Sequence, residues 1–204
     1  MRLFLGLSIP PSIADELAGY VEQVKTKVPS TAWVPRENWH ITLLFLGEVA
    51  PRTATALQPH FAAVARQTAP FSLRIQDWGA FPNMKRAKLL WAGVEGEQEP
   101  LRRLAGSLHE AAAAFIPLEK GKSFVPHITL TRKVPVHNVA SLNDNLPIQT
   151  KDWNVHQMHL YVSHLSPGGA RYEIWQSYPF GAPQSASPAN RGERPHGRKH
   201  NRMC

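Results

Sequence analysis

The chain has 204 residues, of which 43% are hydrophobic, a size and composition typical of one domain or of two small, closely packed lobes. Its single cysteine, Cys204, excludes a disulfide framework and a cysteine-based metal site, which favours a reducing cytoplasm, and its longest apolar runs are too short to cross a membrane. The net charge of +8 is compatible with a polyanionic ligand without identifying one, because residues 191–204 alone carry five Arg or Lys against one Glu.

The first half of the chain alternates strand-like and helix-like patterns. Apolar residues at spacings of three, four and seven after Ser12 are typical of a helix that lies on a sheet, with Ser12 as its N-cap. The elements predicted here, in chain order, are a strand over Arg2–Leu7, that helix from Ile13 to Val28, a strand over His40–Gly47 and a helix over Pro51–Gln67.

The second half continues this alternation. Its predicted elements are strands over Phe71–Asp77 and Lys88–Gly93 with a loop between them, a helix over Glu97–Phe115, a strand over Ser123–Thr131, a short helix near Val136–Asn145, and strands over Asn154–His164 and Arg171–Phe180. No segment has the long apolar strands of a buried parallel sheet. The pattern therefore favours the α+β class, with antiparallel sheets covered on one side by helices.

The composition changes at Gly181. From there large apolar side chains almost disappear, and Pro, Ser, Gly, Arg and His prevail. Such a segment cannot bury enough surface to offset its ordering entropy. We therefore expect a folded domain over residues 1–180 and a disordered basic tail over residues 181–204.

One tetrapeptide occurs twice, since the sequence His-Ile-Thr-Leu at residues 40–43 returns at residues 127–130. Both copies lie in apolar, strand-like runs. Because side chains alternate along a strand, each histidine shares a face with the threonine two residues later, while Ile and Leu point into the core. Two such strands, one from each half of the chain, predict a cleft in which His40 and Thr42 face His127 and Thr129.

This pairing of histidines suits phosphodiester cleavage. In-line attack on phosphorus needs a base on one side and an acid on the other, and an imidazole with an ordinary pKa of about 6.5 can serve as either near neutral pH without a metal ion. The hydroxyls of Thr42 and Thr129 can donate to the phosphate oxygens as charge develops. Arg132, just beyond the second motif, has the planar guanidinium that binds phosphate bidentately.

The chain resembles the 2H phosphoesterase superfamily, which takes its name from two His-x-Thr-x motifs. It is most similar there to the bacterial RNA 2′,3′-cyclic phosphodiesterases, also called 2′-5′ RNA ligases. The resemblance covers about residues 1–180. It rests on the stretches RLFLGLSIP, NWHITLLFLGEV, WGAFPNMKRAKLLWAGV, FVPHITLTR and YVSHLSPGGARYE.

The resemblance implies a fold and a reaction. The expected fold has two pseudo-symmetric lobes of antiparallel sheet with outer helices around a central cleft. His40 is expected to be the proton donor to the leaving 3′-oxygen, and His127 the proton acceptor that activates water, which leaves a 2′-phosphomonoester. Thr42, Thr129 and Arg132 are expected to bind the phosphate. The expected partner is RNA with 2′,3′-cyclic phosphate ends, including tRNA fragments, acted on by a cytoplasmic monomer without cofactor or metal.

Other functions are compatible with the same residues. The protein is alternatively an RNA-end-binding 2′-5′ RNA ligase that acts on tRNA halves, or a phosphodiesterase acting on 2′-5′ oligonucleotides or small cyclic nucleotides. A metallo-hydrolase would use the later histidines His156, His159 and His164. If these residues form one strand, His156 and His159 point to opposite faces and cannot bind one ion.

Two further groups of residues have open interpretations. The basic loop with Lys85, Arg86 and Lys88 either flanks an RNA strand or is a solvated hairpin loop. Tyr172 and Phe45 are candidates for stacking on a base. For Phe45 we predict core packing instead, because it lies an odd number of residues after His40 and should face away from the cleft.

Overall fold

A computed structural model describes residues 1–28, 30–118, 123–134, 138–166 and 169–181. The predicted tail beyond Gly181 lies outside the described residues, as does part of the predicted helix near Val136–Asn145. None of the helices in these ranges is long and apolar enough to span a membrane. The strands and helices are, in chain order, β1 (Arg2–Ser8), α1 (Pro11–Lys25), β2 (His40–Glu48), α2 (Pro51–Gln67), β3 (Phe71–Phe81), β4 (Leu89–Gly96), α3 (Gln98–Ala113), β5 (His127–Thr131), α4 (Leu142–Asn145), β6 (Trp153–Val155), β7 (Gln157–Ser166) and β8 (Gly169–Pro179).

The strands form one antiparallel, hydrogen-bonded series in the order β6-β3-β4-β5-β2-β1-β7-β8. Its two halves contain four strands each and meet where β2 pairs with β5, through Ile41 and Ile128. The predicted α+β class, with two halves of antiparallel sheet and outer helices, is confirmed. The two central strands are the ones that carry the repeated tetrapeptide.

Alternation along the strands separates an apolar core from a cleft face. In β1 the side chains of Leu3, Leu5 and Leu7 are buried and join one core with Leu17 of α1. Burying an apolar side chain of this size contributes about 1.5–3 kcal/mol to the free energy of unfolding. Phe4 alternates with these leucines and contacts the histidine at position 40 on the opposite face.

Several strands and helices begin or end at residues other than those predicted. The strand predicted to end at Asp77 continues to Phe81, because a register shift after Ile75 absorbs Asp77 in a left-handed conformation with φ of 62°. The single strand predicted over Asn154–His164 is two, β6 and β7. Ser12 is not an N-cap. The helix starts at Pro11, whose missing N–H costs nothing in the first turn.

Close packing on the cleft face of β3 and β4 requires a glycine. Gly79 pairs with Trp91, and the indole ring lies directly on the Gly79 backbone. The same ring is 5.6 Å from that of His127. Gly79 therefore makes room for an aromatic ring that supports a histidine of the repeated motif.

We expect Gly79→Ala to lower the free energy of unfolding by about 1–3 kcal/mol, because the added methyl overlaps the Trp91 ring. Gly19→Ala is the matched control, since Gly19 lies on an exposed face of α1 with no atom close to the place that an added methyl would occupy. The control should raise the free energy of unfolding by about 0.5–1 kcal/mol. Denaturant unfolding measures both, and equal effects of the two variants would contradict the packing argument.

Candidate active site

The two copies of the motif lie side by side at the centre of the sheet. Ile41 and Ile128, the middle residues of the two His-Ile-Thr segments, are paired and fully buried. In an antiparallel pair this register sets the histidine of one strand across from the threonine of the other. Thr42 and His127 accordingly line one pocket. The predicted alternation is confirmed, because both histidines and both threonines are half-buried between fully buried neighbours.

Both imidazoles are oriented by the same local hydrogen bond. Nδ1 of His40 lies 2.7 Å from the carbonyl oxygen of Asn38, and Nδ1 of His127 lies 2.7 Å from that of Val125. A carbonyl oxygen only accepts, so each Nδ1 carries a hydrogen. Nε2 is then the nitrogen with the lone pair, the one that is able to accept a proton. In His40 it lies 3.0 Å from the hydroxyl oxygen of Thr42.

Aromatic rings hold the two histidines in place. The centroid of the Phe4 ring is 4.7 Å from that of His40, and the ring of Tyr172 meets His40 edge-on at 5.1 Å. The Phe81 ring meets His127 edge-on at 5.2 Å. Tyr172 was a candidate for stacking on a base, whereas Phe4 and Phe81 were not predicted as site residues. Phe4 was detectable, since it alternates with the core leucines of β1, whereas Phe81 lies beyond the predicted end of its strand.

Burial lowers the pKa of both histidines. The pKa of His40 falls to about 4, first because burial disfavours the charged ring and then because Arg132 and His127 repel it, although the Asn38 carbonyl acts in the opposite direction. Burial, and then Arg132, also lower the pKa of His127, against the Val125 carbonyl. Both rings are therefore neutral in the free protein near neutral pH. A bound phosphate anion would raise both pKa values.

Arg132 enters the cleft from a braced strand end. The buried hydroxyl of Thr131 lies 2.7 Å from that of Ser30, and the backbone N–H of Val34 donates to the Leu130 carbonyl at 2.8 Å. These bonds hold the segment from Ser30 to Val34 against the end of β5. Arg132 lines a pocket of about 650 Å³, the Phe45 pocket, whose walls include Phe4, Phe45 and Tyr172.

The prediction that Phe45 packs in the core is wrong. Its side chain is 66% exposed and its ring lies 5.9 Å from that of Phe4 on the cleft face. Leu5 pairs with Leu44 but Gly6 pairs with Thr42, so β2 contains an extra residue at this point. One inserted residue reverses the alternation that follows it. The odd spacing from His40 therefore places Phe45 on the cleft face.

The other candidate residues do not join this constellation. His156 is exposed between β6 and β7, His159 is buried between two serines, and His164 is hydrogen-bonded to the Glu173 carboxylate. Within the described ranges no three His, Cys, Asp or Glu side chains are grouped to hold a metal ion. The basic loop is an exposed turn whose Lys85 and Arg86 backbone N–H groups donate to the Asn83 side chain.

Comparison with known proteins identifies the family. A model of the 2′-5′ RNA ligase superfamily matches residues 9–167, most of the chain. The chain belongs to this superfamily. The resemblance drawn from the two motifs is thereby confirmed, and both motifs lie within the matched residues.

Several curated relatives share one name. The RNA 2′,3′-cyclic phosphodiesterase of Thermus thermophilus is 33% identical over 214 residues, covering 97% of this chain and all of the relative. That of Archaeoglobus fulgidus is 34% identical over 175 residues, covering 85% of this chain and 97% of the relative. The relative from Geobacillus stearothermophilus is longer. This chain spans 61% of its length at 28% identity.

Solved structures share the fold. TT0787 of Thermus thermophilus has a TM-score of 0.72 at 31% identity, covering 89% of this chain and 99% of its own. LigT of Escherichia coli in its apo form has a TM-score of 0.71 at 26% identity, covering 88% of this chain and 97% of its own. LigT is also known in complex with 3′-AMP.

We expect stability to fall on acidification through His40. Its pKa is about 4 in the folded protein and about 6.5 in an unfolded chain, so the unfolded state binds the extra proton between these values. The contribution of neutral His40 to the free energy of unfolding is complete above pH 6.5 and is lost as the pH falls towards 4. Denaturant unfolding at several pH values should show a weaker pH dependence for His40→Gln than for the wild type. If the free energy of unfolding depended on pH in the same way in both proteins, the lowered pKa of His40 would be contradicted.

Proposed function

We propose that the protein hydrolyses 2′,3′-cyclic phosphate ends of RNA to 2′-phosphomonoesters by two-histidine acid and base catalysis without a metal ion. The observation that carries this proposal is the pair of histidines on the two central strands, each held at Nδ1 by the carbonyl two residues earlier, which leaves Nε2 for proton transfer. The names of the relatives support the same substrate class. The relatives' activity and the motif chemistry thus point to one reaction.

The proposed reaction places the two proton transfers on opposite sides of phosphorus. Neutral His127 accepts a proton at Nε2 from water as the water oxygen bonds to phosphorus. The bond from phosphorus to the 3′-oxygen breaks in line with this attack. Protonated His40 donates from Nε2 to the departing 3′-oxygen, which becomes a hydroxyl, while the phosphate stays on the 2′-oxygen. Loss of a proton to solvent returns His127 to its neutral form, and His40 takes up a proton from solvent again when the next phosphate binds.

The low pKa of His40 makes its acid role dependent on substrate. A ring with a pKa of about 4 is rarely charged at neutral pH in the free protein. The phosphodiester anion offsets the repulsion from Arg132 and favours the protonated ring. The proton is therefore held most strongly when a phosphate is in place. The apparent pKa values of activity belong to the coupled pair of histidines.

In this proposal the remaining cleft residues bind the phosphate and the terminal nucleobase. Thr42 and Thr129 donate hydroxyl hydrogens to the non-bridging oxygens, and Arg132 supplies a guanidinium for the dianionic transition state. Phe45 presents an exposed ring beside Thr42 on which the terminal base stacks. The Phe45 pocket also contains Arg132, so one pocket has an aromatic wall and a cation.

The cellular setting is part of the proposal. We infer that the substrates include tRNA fragments with cyclic phosphate ends, since the chemistry acts on the terminal nucleotide alone. All of the proposed catalytic and binding side chains come from one chain, which suits a monomer. A single cysteine among 204 residues suits the reducing cytoplasm.

We expect His40→Ala and His127→Ala each to reduce turnover of an RNA with a 2′,3′-cyclic end by a factor on the order of 10² to 10⁴, since each loses one proton transfer. His156→Ala is the matched control, because that histidine is exposed outside the cleft. Product formation on a gel measures the rates, and thermal unfolding checks that each variant folds. Near wild-type turnover in either cleft variant would refute the paired scheme.

The assignment of roles predicts the regiochemistry of the product. With the acid beside the 3′-oxygen, cytidine 2′,3′-cyclic phosphate should give cytidine 2′-phosphate, which phosphorus NMR distinguishes from the 3′-isomer. A 3′-phosphate would reverse the placement of the substrate between the histidines and leave the paired chemistry standing. Adding an RNA with a 5′-hydroxyl end tests the joining reaction in the same spectrum, through a 2′-5′ diester signal.

A further inference from the structure

A second pocket adjoins His40 and is not used by the proposed reaction. This His40 pocket has a volume of about 420 Å³, and its walls include Ser8, Asn38, His40, Tyr161, Tyr172 and Ile174. Its size is in the usual range for small-molecule sites. It shares Tyr172 with the Phe45 pocket and includes His40 of the candidate active site, so the two pockets are neighbours on either side of Tyr172.

The two pockets follow one another along the same strand. On β8, Ala170 lines the Phe45 pocket, Tyr172 lines both pockets, and Ile174 lines the His40 pocket. β1 shows the same order, with Phe4 in the first pocket and Ser8 in the second. Tyr172 is thus the partition between two neighbouring compartments. Four strand residues span about 13 Å, a distance that adjacent, unstacked nucleotides can bridge.

The walls of the His40 pocket match a nucleoside better than a phosphate. Tyr172 and the 49% exposed side chain of Ile174 offer flat or apolar surface. The guanidinium of Arg36 is already paired with Asp15 and the Pro11 carbonyl, and Glu37 adds a negative charge. A cation that is already paired and an added carboxylate disfavour an anion. The Glu37 carboxylate can instead accept hydrogen bonds from the donor groups on the edge of an uncharged base.

Hydrogen bonds to a buried histidine orient a polar group that lines this pocket. His159 is 3% exposed, and its Nε2 and Nδ1 lie 3.2 Å from the Ser8 hydroxyl oxygen and 2.8 Å from that of Ser177. Burial lowers the pKa of His159, so the ring is neutral and one nitrogen donates while the other accepts. The Ser8 hydroxyl is therefore oriented where it meets the pocket.

The chemistry of the proposed reaction sets the direction of the RNA. The leaving 3′-oxygen belongs to the terminal ribose, and His40 protonates it, so that ribose lies on the His40 side of phosphorus. The chain continues upstream from the 5′-oxygen of the same ribose. The preceding nucleotide must therefore lie on the His40 side, opposite the water that His127 activates. The terminal base occupies the Phe45 pocket, which leaves the His40 pocket for its neighbour.

We propose that the His40 pocket is a subsite for the base and ribose of the nucleotide that precedes the cyclic phosphate. The inference rests on the proposed function and deepens it, because it makes oligonucleotide ends, rather than cyclic mononucleotides, the preferred substrates. Tyr172 separates the two bases. Ile174 is a specificity residue that contacts only the upstream nucleoside, and it has no part in proton transfer.

The test compares a cyclic mononucleotide with a dinucleotide that ends in the same cyclic phosphate. Wild-type kcat/KM should be about 5- to 100-fold higher for the dinucleotide, the range that one stacked base contributes. Ile174→Trp, which fills the pocket, and Ile174→Ala, which removes its wall, should reduce this ratio while leaving the mononucleotide rate unchanged. Phe115→Ala is the matched control, since Phe115 is a similarly exposed apolar residue at the end of α3 outside the cleft.

The two kcat/KM values and their response to the Ile174 variants show whether the upstream subsite exists. Equal kcat/KM for the two substrates would overturn the subsite, and a dinucleotide advantage that survives both Ile174 variants would place the upstream nucleotide elsewhere. If neither substrate is hydrolysed, the proposed function fails. The subsite is still tested by calorimetric binding of 2′-phosphorylated mono- and dinucleotides, which needs no turnover. There the dinucleotide should bind more tightly to the wild type, and Ile174→Trp should abolish the difference.

Discussion

The pairing of Ile41 with Ile128 is the constraint on which the whole site depends. Both side chains are fully buried at the junction of the two half-sheets. A slip of one residue between β2 and β5 would turn these isoleucines towards water and the histidines into the core, so the hydrophobic core itself fixes the register. The positions of His40 and His127 are thus set by apolar neighbours that never touch a substrate.

The same packing that fixes the rings also sets their charge. Each histidine is held by a carbonyl at Nδ1 and enclosed by aromatic side chains, so it has one orientation and a pKa below the ordinary value. Both imidazoles are therefore neutral near neutral pH when no ligand is bound. An anion bound beside the rings would favour their protonated forms, so in the proposed function the charge of the imidazoles depends on the presence of a phosphate.

The sequence predicted the parts of the site that depend on local pattern. The duplicated tetrapeptide was sufficient to predict two strands and their polar face, because strand alternation is a local property. The orientation of Phe45 could not be predicted, since the register shift in β2 arises from its pairing with β1. For the same reason the sequence did not reveal that β3 extends to Phe81, or that Gly79 makes room for the ring of Trp91 beside His127.

The position five residues after each histidine shows how two similar halves acquire different tasks. In β2 that position is Phe45, turned to the cleft by the register shift. After β5 it is Arg132, beyond a strand end that Ser30 braces through Thr131. The two side chains line one pocket. The duplicated scaffold therefore supplies a symmetric pair of imidazoles, and this single divergent position supplies an aromatic surface from one half and a cation from the other. In the proposed function, an asymmetric ligand with a base at one end and a phosphate at the other would place the base on Phe45 and the phosphate at Arg132, and this would set its direction between the two histidines.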